Sequence, residues 1–114
     1  MVNQLYWHGV EILLDEHGFL SNPQDWSEGL AEVIAQQLTN IDILNPDHWK
    51  VIHFIRRLYF EFDLQPANRQ LVKLIQNELG QELGSSIALM KLFGGSPAKT
   101  AARIAGLPIP PHCL

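Results

Sequence analysis

With 114 residues, 46% apolar and 18% charged, the chain has enough material to close one hydrophobic core without disulfides or metals, and it is too apolar to be a disordered segment. Eight Lys and Arg against twelve Asp and Glu leave a formal charge of −4, which gives no broad attraction to a phosphate backbone and argues against direct, tight nucleic-acid binding. Residues 1–4 show no basic patch leading into an apolar core, and no apolar run reaches the ~20 residues that span a bilayer, so the expected location is the cytoplasm, away from the membrane.

Aromatic and β-branched residues from Gln4 to Leu14 flank a His8-Gly9 step, which predicts a β-hairpin with glycine supplying a positive φ. A second turn, Asp15-Glu16-His17-Gly18, is expected to bring in Phe19-Leu20 as a short extension of that sheet.

Helical signals follow, and proline marks four starts, where its missing N–H costs nothing. Asn22-Pro23 and Asp25 open a first helix with Trp26, Leu30, Val33, Ile34 and Leu38 at helical spacing, ending near Thr39-Asn40. Asn45-Pro46-Asp47 opens a longer one that carries Trp49, Ile52, Phe54, Ile55, Leu58, Tyr59, Phe60 and Phe62; its aromatics are expected to be core, and His48 to serve the helix start. Gln65-Pro66 starts a third, through Leu71, Val72, Leu74, Ile75 and Leu79, closed by Gly80. A short helix from about Ser85 to Phe93 precedes Gly94-Gly95, and Ser96-Pro97 caps a final helix through Ala105, closed by Gly106.

Residues 107–114, Leu-Pro-Ile-Pro-Pro-His-Cys-Leu, hold three of the seven prolines and can neither continue a helix nor pair well in a sheet. A single domain, 1–114, is expected, with 107–114 as a mobile arm. In polyproline geometry, at ~3.1 Å per residue, the stretch from Gly106 to Cys113 reaches on the order of 20 Å.

Cys113 is the only cysteine, so it forms no intramolecular disulfide, and it stands second from the end, where no prenylation box places it. Cysteine is the side chain that can itself carry a transferable sulfur, and a site beyond a proline-rich stretch favours access over burial. The α-carboxylate of Leu114 disfavours the thiolate, while a protonated His112 favours it. Seven of the eight basic residues lie from Arg56 onward; of these, Lys99 and Arg103 lead into the arm and are candidates to steady it or its thiolate. Five histidines show no zinc-motif pairing, since His48 and His53 are five apart on one helix, and no metal or other cofactor is expected.

The stretch from Phe93 to Leu114 closely resembles the C-terminus of the TusE/DsrC family of sulfur carriers, through Pro97-Ala98-Lys99 and Ile104-Ala105-Gly106-Leu107-Pro108 with Pro110 and Cys113. The resemblance extends to Trp26-Ser27-Glu28 with Leu30-Ala31, Pro46 with His48-Trp49, Phe54-Ile55-Arg56 with Tyr59, and Pro66-Ala67 with Arg69, Leu71, Val72 and Lys73. It implies a mainly α fold, an orthogonal helical bundle with a small N-terminal β-hairpin and a flexible C-terminal arm ending in a persulfide-bearing cysteine, in agreement with the elements above.

Members resembling DsrC carry a second arm cysteine eleven positions before the first, and here that position is Ala102. The chain is therefore similar to the TusE branch. That likeness implies a sulfurtransferase whose Cys113 takes sulfur from an upstream sulfurtransferase complex and passes it to a tRNA thiouridylase acting on the wobble uridine, so that tRNA is met only through the acceptor. Ile109, where relatives often carry lysine, and His112 are departures that bear on partner choice. A DsrC-like partnership with sulfite reductase or sulfur oxidation is one alternative. A helix-turn-helix regulator is another, because Pro46–Phe62 and the helix from Pro66 outline that motif, with Asn68, Arg69, Gln70 and Lys73 where base-reading side chains sit.

Overall fold

The computed structural model describes residues 4–111. Strands β1 (Gln4–Trp7) and β2 (Val10–Leu13) form the expected antiparallel hairpin, pairing Leu5 with Ile12 and Trp7 with Val10. Both turn residues take positive φ, 51° at His8 and 76° at Gly9, as a two-residue turn that matches strand twist requires. Leu5 and Ile12 are buried. The following turn is tied by Asp15, whose Oδ1 accepts from the backbone N–H groups of His17 and Phe19. It drops Phe19 fully into the core, and Leu20 pairs back with Leu14 as the short extension.

Five helices follow: α1 (Glu28–Leu38), α2 (Pro46–Phe62), α3 (Asn68–Leu79), α4 (Ser86–Phe93) and α5 (Pro97–Ile104). Their starts show where proline is decisive and where it is not. Asn22-Pro23 nucleates only a single 3₁₀ turn, Pro23–Asp25, with Asn22 accepting from Gln24 N. Trp26 and Ser27 are extended, and α1 begins at Glu28, capped by Ser27 Oγ accepting from Leu30 N. The indole of Trp26 is drawn instead to Ile104 O, 78 residues away, and that tertiary bond displaces the helix start.

Pro46 does occupy the first turn of α2. Asn45 Oδ1 accepts from Asp47 N and His48 N, while His48 Nδ1 accepts from Asn45 N, a reciprocal cap. Because Nδ1 is the acceptor, Nε2 carries the proton, and it donates to Leu92 O at 2.8 Å, tying α2 to α4. α3 starts at Asn68 rather than Pro66, whose ring is buried beneath the C-terminal segment. Its own first turn has no side-chain cap. Asn68 Oδ1 accepts from Ala98 N and so caps α5, the task the sequence assigned to Ser96.

α5 touches all four other helices, and its buried Ala98, Ala101 and Ala102 are small enough to let them close around it. α2 buries one face, with Val51, Ile52, Phe54, Ile55 and Leu58 inside. Contrary to the expectation that its aromatics form core, Phe60 and Phe62 are 55% and 61% exposed, lying off the face of α2 that carries Val51, Ile52, Ile55 and Leu58. Among the described residues no helix is long and apolar enough to cross a membrane.

Candidate functional site

The site begins where α5 ends. Gly106 takes φ +71°, turning the chain out of the helix, and Leu107 N donates to Ala102 O. A Cβ on Gly106 would lie 2.3 Å from Trp26 Cδ1, so both its conformation and its close approach to the indole demand glycine. Trp26 Nε1 donates to Ile104 O at 2.9 Å, and Arg56 Nη1 donates to Ala105 O at 2.6 Å. The Arg56 guanidinium also lies 3.7 Å from the Trp26 ring centroid and 4.9 Å from that of Phe60. Burial pushes the Arg56 pKa down from its ordinary value, although a guanidinium remains protonated at any physiological pH. Two carbonyls at the end of α5 are thus held by side chains from the segment before α1 and from α2.

The segment beyond Gly106 is extended, as its prolines require, and residues 107–110 lie against the body. Leu107 is 1% exposed and Pro110 is fully buried. Ile55, Leu64, Pro66, Leu71, Ala98 and Ala102 line their seat, leaving a gap of about 10 Å³, no more than one water's worth. Gln65 Nε2 donates to Pro108 O, adding a polar tie across the surface. Residues 107–110 of the expected arm are thus packed on the body, where burying Leu107 and Pro110 removes apolar surface from water. Ala102 forms part of this seat at 2% exposure.

Cys113 and His112, the residues on which the sulfur chemistry was expected, lie outside the described residues. Arg103 faces away from the seat: Nη2 donates to His17 O at 2.9 Å, and its guanidinium stands 4.8 Å from the Phe19 ring centroid. Its Nε is buried with no hydrogen-bond partner among the described residues. Burial lowers its pKa, partly offset by the Asp15 carboxylate. Lys99 is half-buried on α5. Asn68, first of the candidate base-reading residues, is committed to Ala98 N, while Arg69, Gln70 and Lys73 are exposed on α3. His48 is spent on the α2 cap, and His53 pairs with Glu28 at 3.2 Å.

Trp26, Arg56 and Gln65 are the site residues that local sequence patterns do not reveal. Trp26 reads as one position of a helix face and Arg56 as one of several cations. The usable signal was the Ile104-Ala105-Gly106-Leu107 run, where a helix-ending glycine is followed by an apolar residue that has to pack somewhere.

Comparison with known proteins matches residues 6–114 to the family model described as DsrC like protein. Sulfurtransferase TusE of Escherichia coli is 47% identical over 111 residues, covering 96% of this chain and 99% of that protein. The NMR structure of Allochromatium vinosum DsrC superposes with a TM-score of 0.86 at 42% identity, covering 100% of both chains. The oxidized γ-subunit of the dissimilatory sulfite reductase (DsrC) from Archaeoglobus fulgidus gives 0.80 at 36% identity, covering 97% of this chain and 99% of that one. Family match, near-full-length identity and superposable backbone agree, and the chain belongs to the DsrC-like protein family.

Proposed function

We propose that the protein is a cytoplasmic sulfur carrier that holds a persulfide on Cys113. The Cys113 thiolate attacks the outer sulfur of a donor cysteine persulfide; that S–S bond breaks, the donor leaves as its thiolate, and Cys113 becomes Cys-S-SH. An acceptor thiolate then attacks the outer sulfur in turn and releases the Cys113 thiolate, so the cycle needs no external oxidant or reductant, and no metal or nucleotide takes part.

The observation that carries the reading is Ala102. In a chain whose only cysteine is Cys113, the position eleven residues earlier, where the resemblance to the DsrC branch implies a second cysteine, is a buried alanine of α5 packed beside Leu107. An intramolecular disulfide cycle is therefore closed to this chain, whereas a persulfide needs one thiol only. The high identity to proteins named sulfurtransferase TusE supports the same branch. On that reading the donor is an upstream sulfurtransferase complex and the acceptor a tRNA thiouridylase that thiolates the wobble uridine. His112 immediately precedes Cys113 in the sequence and is the residue placed to favour its thiolate, and Lys99 is the α5 residue that steadies the arm; the bond from Arg103 to His17 O supports a role in holding the helix end instead.

Intact-mass measurement after incubation with a persulfide donor tests this. Wild type should gain one sulfur atom and Cys113→Ser none; no gain in wild type with a competent donor removes the proposal.

A further inference from the structure

Charge is split along the chain. Residues 1–49 hold eight of the twelve Asp and Glu and none of the eight Lys and Arg, so the remainder is net positive although the whole carries −4. Helices α4 and α5 contain no Asp or Glu, and the one acid of α3, Glu78, lines the groove that α3 shares with α2. The other side of α3 faces α4 across a second groove of about 90 Å³, lined by Asn68, Val72, Ser86, Leu89, Met90 and Pro97.

A helix turns about 100° per residue, which puts Arg69 and Lys73 one position round from Asn68 and Val72, on the outer rim of the α3 side. Both are exposed, they stand one turn apart, and neither is ion-paired among the described residues. Cations beside the other grooves are answered, Lys50 by Asp47 and Arg57 by Glu61. On the α4 side Met90 is 49% exposed and Ile87, one turn before it, 70% exposed. The groove thus combines an aliphatic floor, a flexible thioether that adapts to what it meets, and a rim of one charge sign. No aromatic ring lines it, so a nucleic-acid base finds nothing there to stack on.

We infer that the α3–α4 groove is a docking surface for an acidic segment of a partner protein, which seats one aliphatic side chain between Val72 and Met90 and sets carboxylates against Arg69 and Lys73. Charge complementarity selects the occupant: an apolar centre gives the anchor, and two cations without an acid on their side of α3 are left for the partner to neutralise. The surface is built by α3, α4 and the start of α5 alone and goes beyond the carrier reading without resting on it.

The test titrates the isotope-labelled full-length protein, followed by amide NMR shifts, with the peptide Glu-Asp-Leu-Asp-Glu, with the same peptide carrying serine in place of leucine, and with a single-stranded RNA oligonucleotide. Shifts from the leucine peptide should centre on Val72, Met90 and their neighbours. The serine peptide should bind about tenfold more weakly for want of the aliphatic anchor. Lys73→Glu, at an exposed position that leaves the fold intact, should weaken the leucine peptide about tenfold. Arg57→Glu makes the same charge change beside the α2–α3 groove and should stay within about twofold of wild type. No binding, shifts centred elsewhere, equal affinity for the two peptides, or an equal loss in Arg57→Glu overturns the docking surface. Tighter binding of the RNA to the same residues would make this a nucleic-acid surface, and self-association that Lys73→Glu abolishes would make the occupant a second copy; either result overturns the acidic partner.

Discussion

Replacing Gly106 by alanine attacks the root of the C-terminal segment with the smallest possible side chain. Two costs combine. Holding alanine at φ +71° costs about 1 kcal/mol or slightly more. The new Cβ would stand 2.3 Å from Trp26 Cδ1 and 2.8 Å from Cγ, against the ~3.5–4.0 Å of ordinary carbon contact, so the indole has to withdraw. Withdrawal breaks the Trp26 Nε1 bond to Ile104 O, worth about 1 kcal/mol, and the stacking of Arg56 on the ring, worth about another 0.5–1 kcal/mol. Gly106→Ala should therefore destabilise by about 3 kcal/mol, a drop of on the order of 10 °C in Tm for a chain of this size. Urea denaturation followed by circular dichroism measures it. A double-mutant cycle separates the parts: in a Trp26→Ala background Gly106→Ala should cost about 1–1.5 kcal/mol, the backbone share plus the remaining 3.0 Å approach to the Cβ of residue 26, leaving a coupling of about 1.5 kcal/mol. A cost within ~0.5 kcal/mol of zero, or the same cost in both backgrounds, would refute the account of why glycine is required here.

Two further outcomes follow from caps that act over distance. His48→Ala leaves the Asn45 N–H and the Leu92 carbonyl without their partner in a partly buried place and removes the edge-on packing against Phe93, so equilibrium unfolding should show a loss of about 2 kcal/mol. His48→Gln, which can satisfy one of the two groups, should recover about 1 kcal/mol of that; no recovery would mean that ring packing alone matters. Asn68→Ala should cost about 1 kcal/mol by uncapping α5, although residue 68 itself belongs to α3, and Asn68→Asp should retain most of the stability because it keeps an acceptor for Ala98 N. Equal losses in the two Asn68 variants, read from denaturation midpoints, would rule out the cap.

What the sequence determined by itself is what neighbouring residues decide among themselves. Asn45-Pro46-Asp47-His48 contains its own cap, His8-Gly9 its own turn, and three prolines after Gly106 exclude helix and sheet whatever surrounds them, because each signal is a matter of backbone geometry within a few residues. Cys113, the residue proposed to carry sulfur, was picked out in the same way, as the only cysteine in the chain. Tertiary structure decided the rest. Pro23 fails to start α1 because Trp26 is bound to Ile104, Ser96 cedes its cap to Asn68, and Phe60 stays outside although its spacing matches core. Anchoring of the segment through Pro110 depends on bonds from Trp26, Arg56 and Gln65 to carbonyls 78, 49 and 43 residues away. Periodicity records which residues share a face, but only the packing of distant elements selects the face that is buried, and with it where Leu107 and Pro110 find their seat.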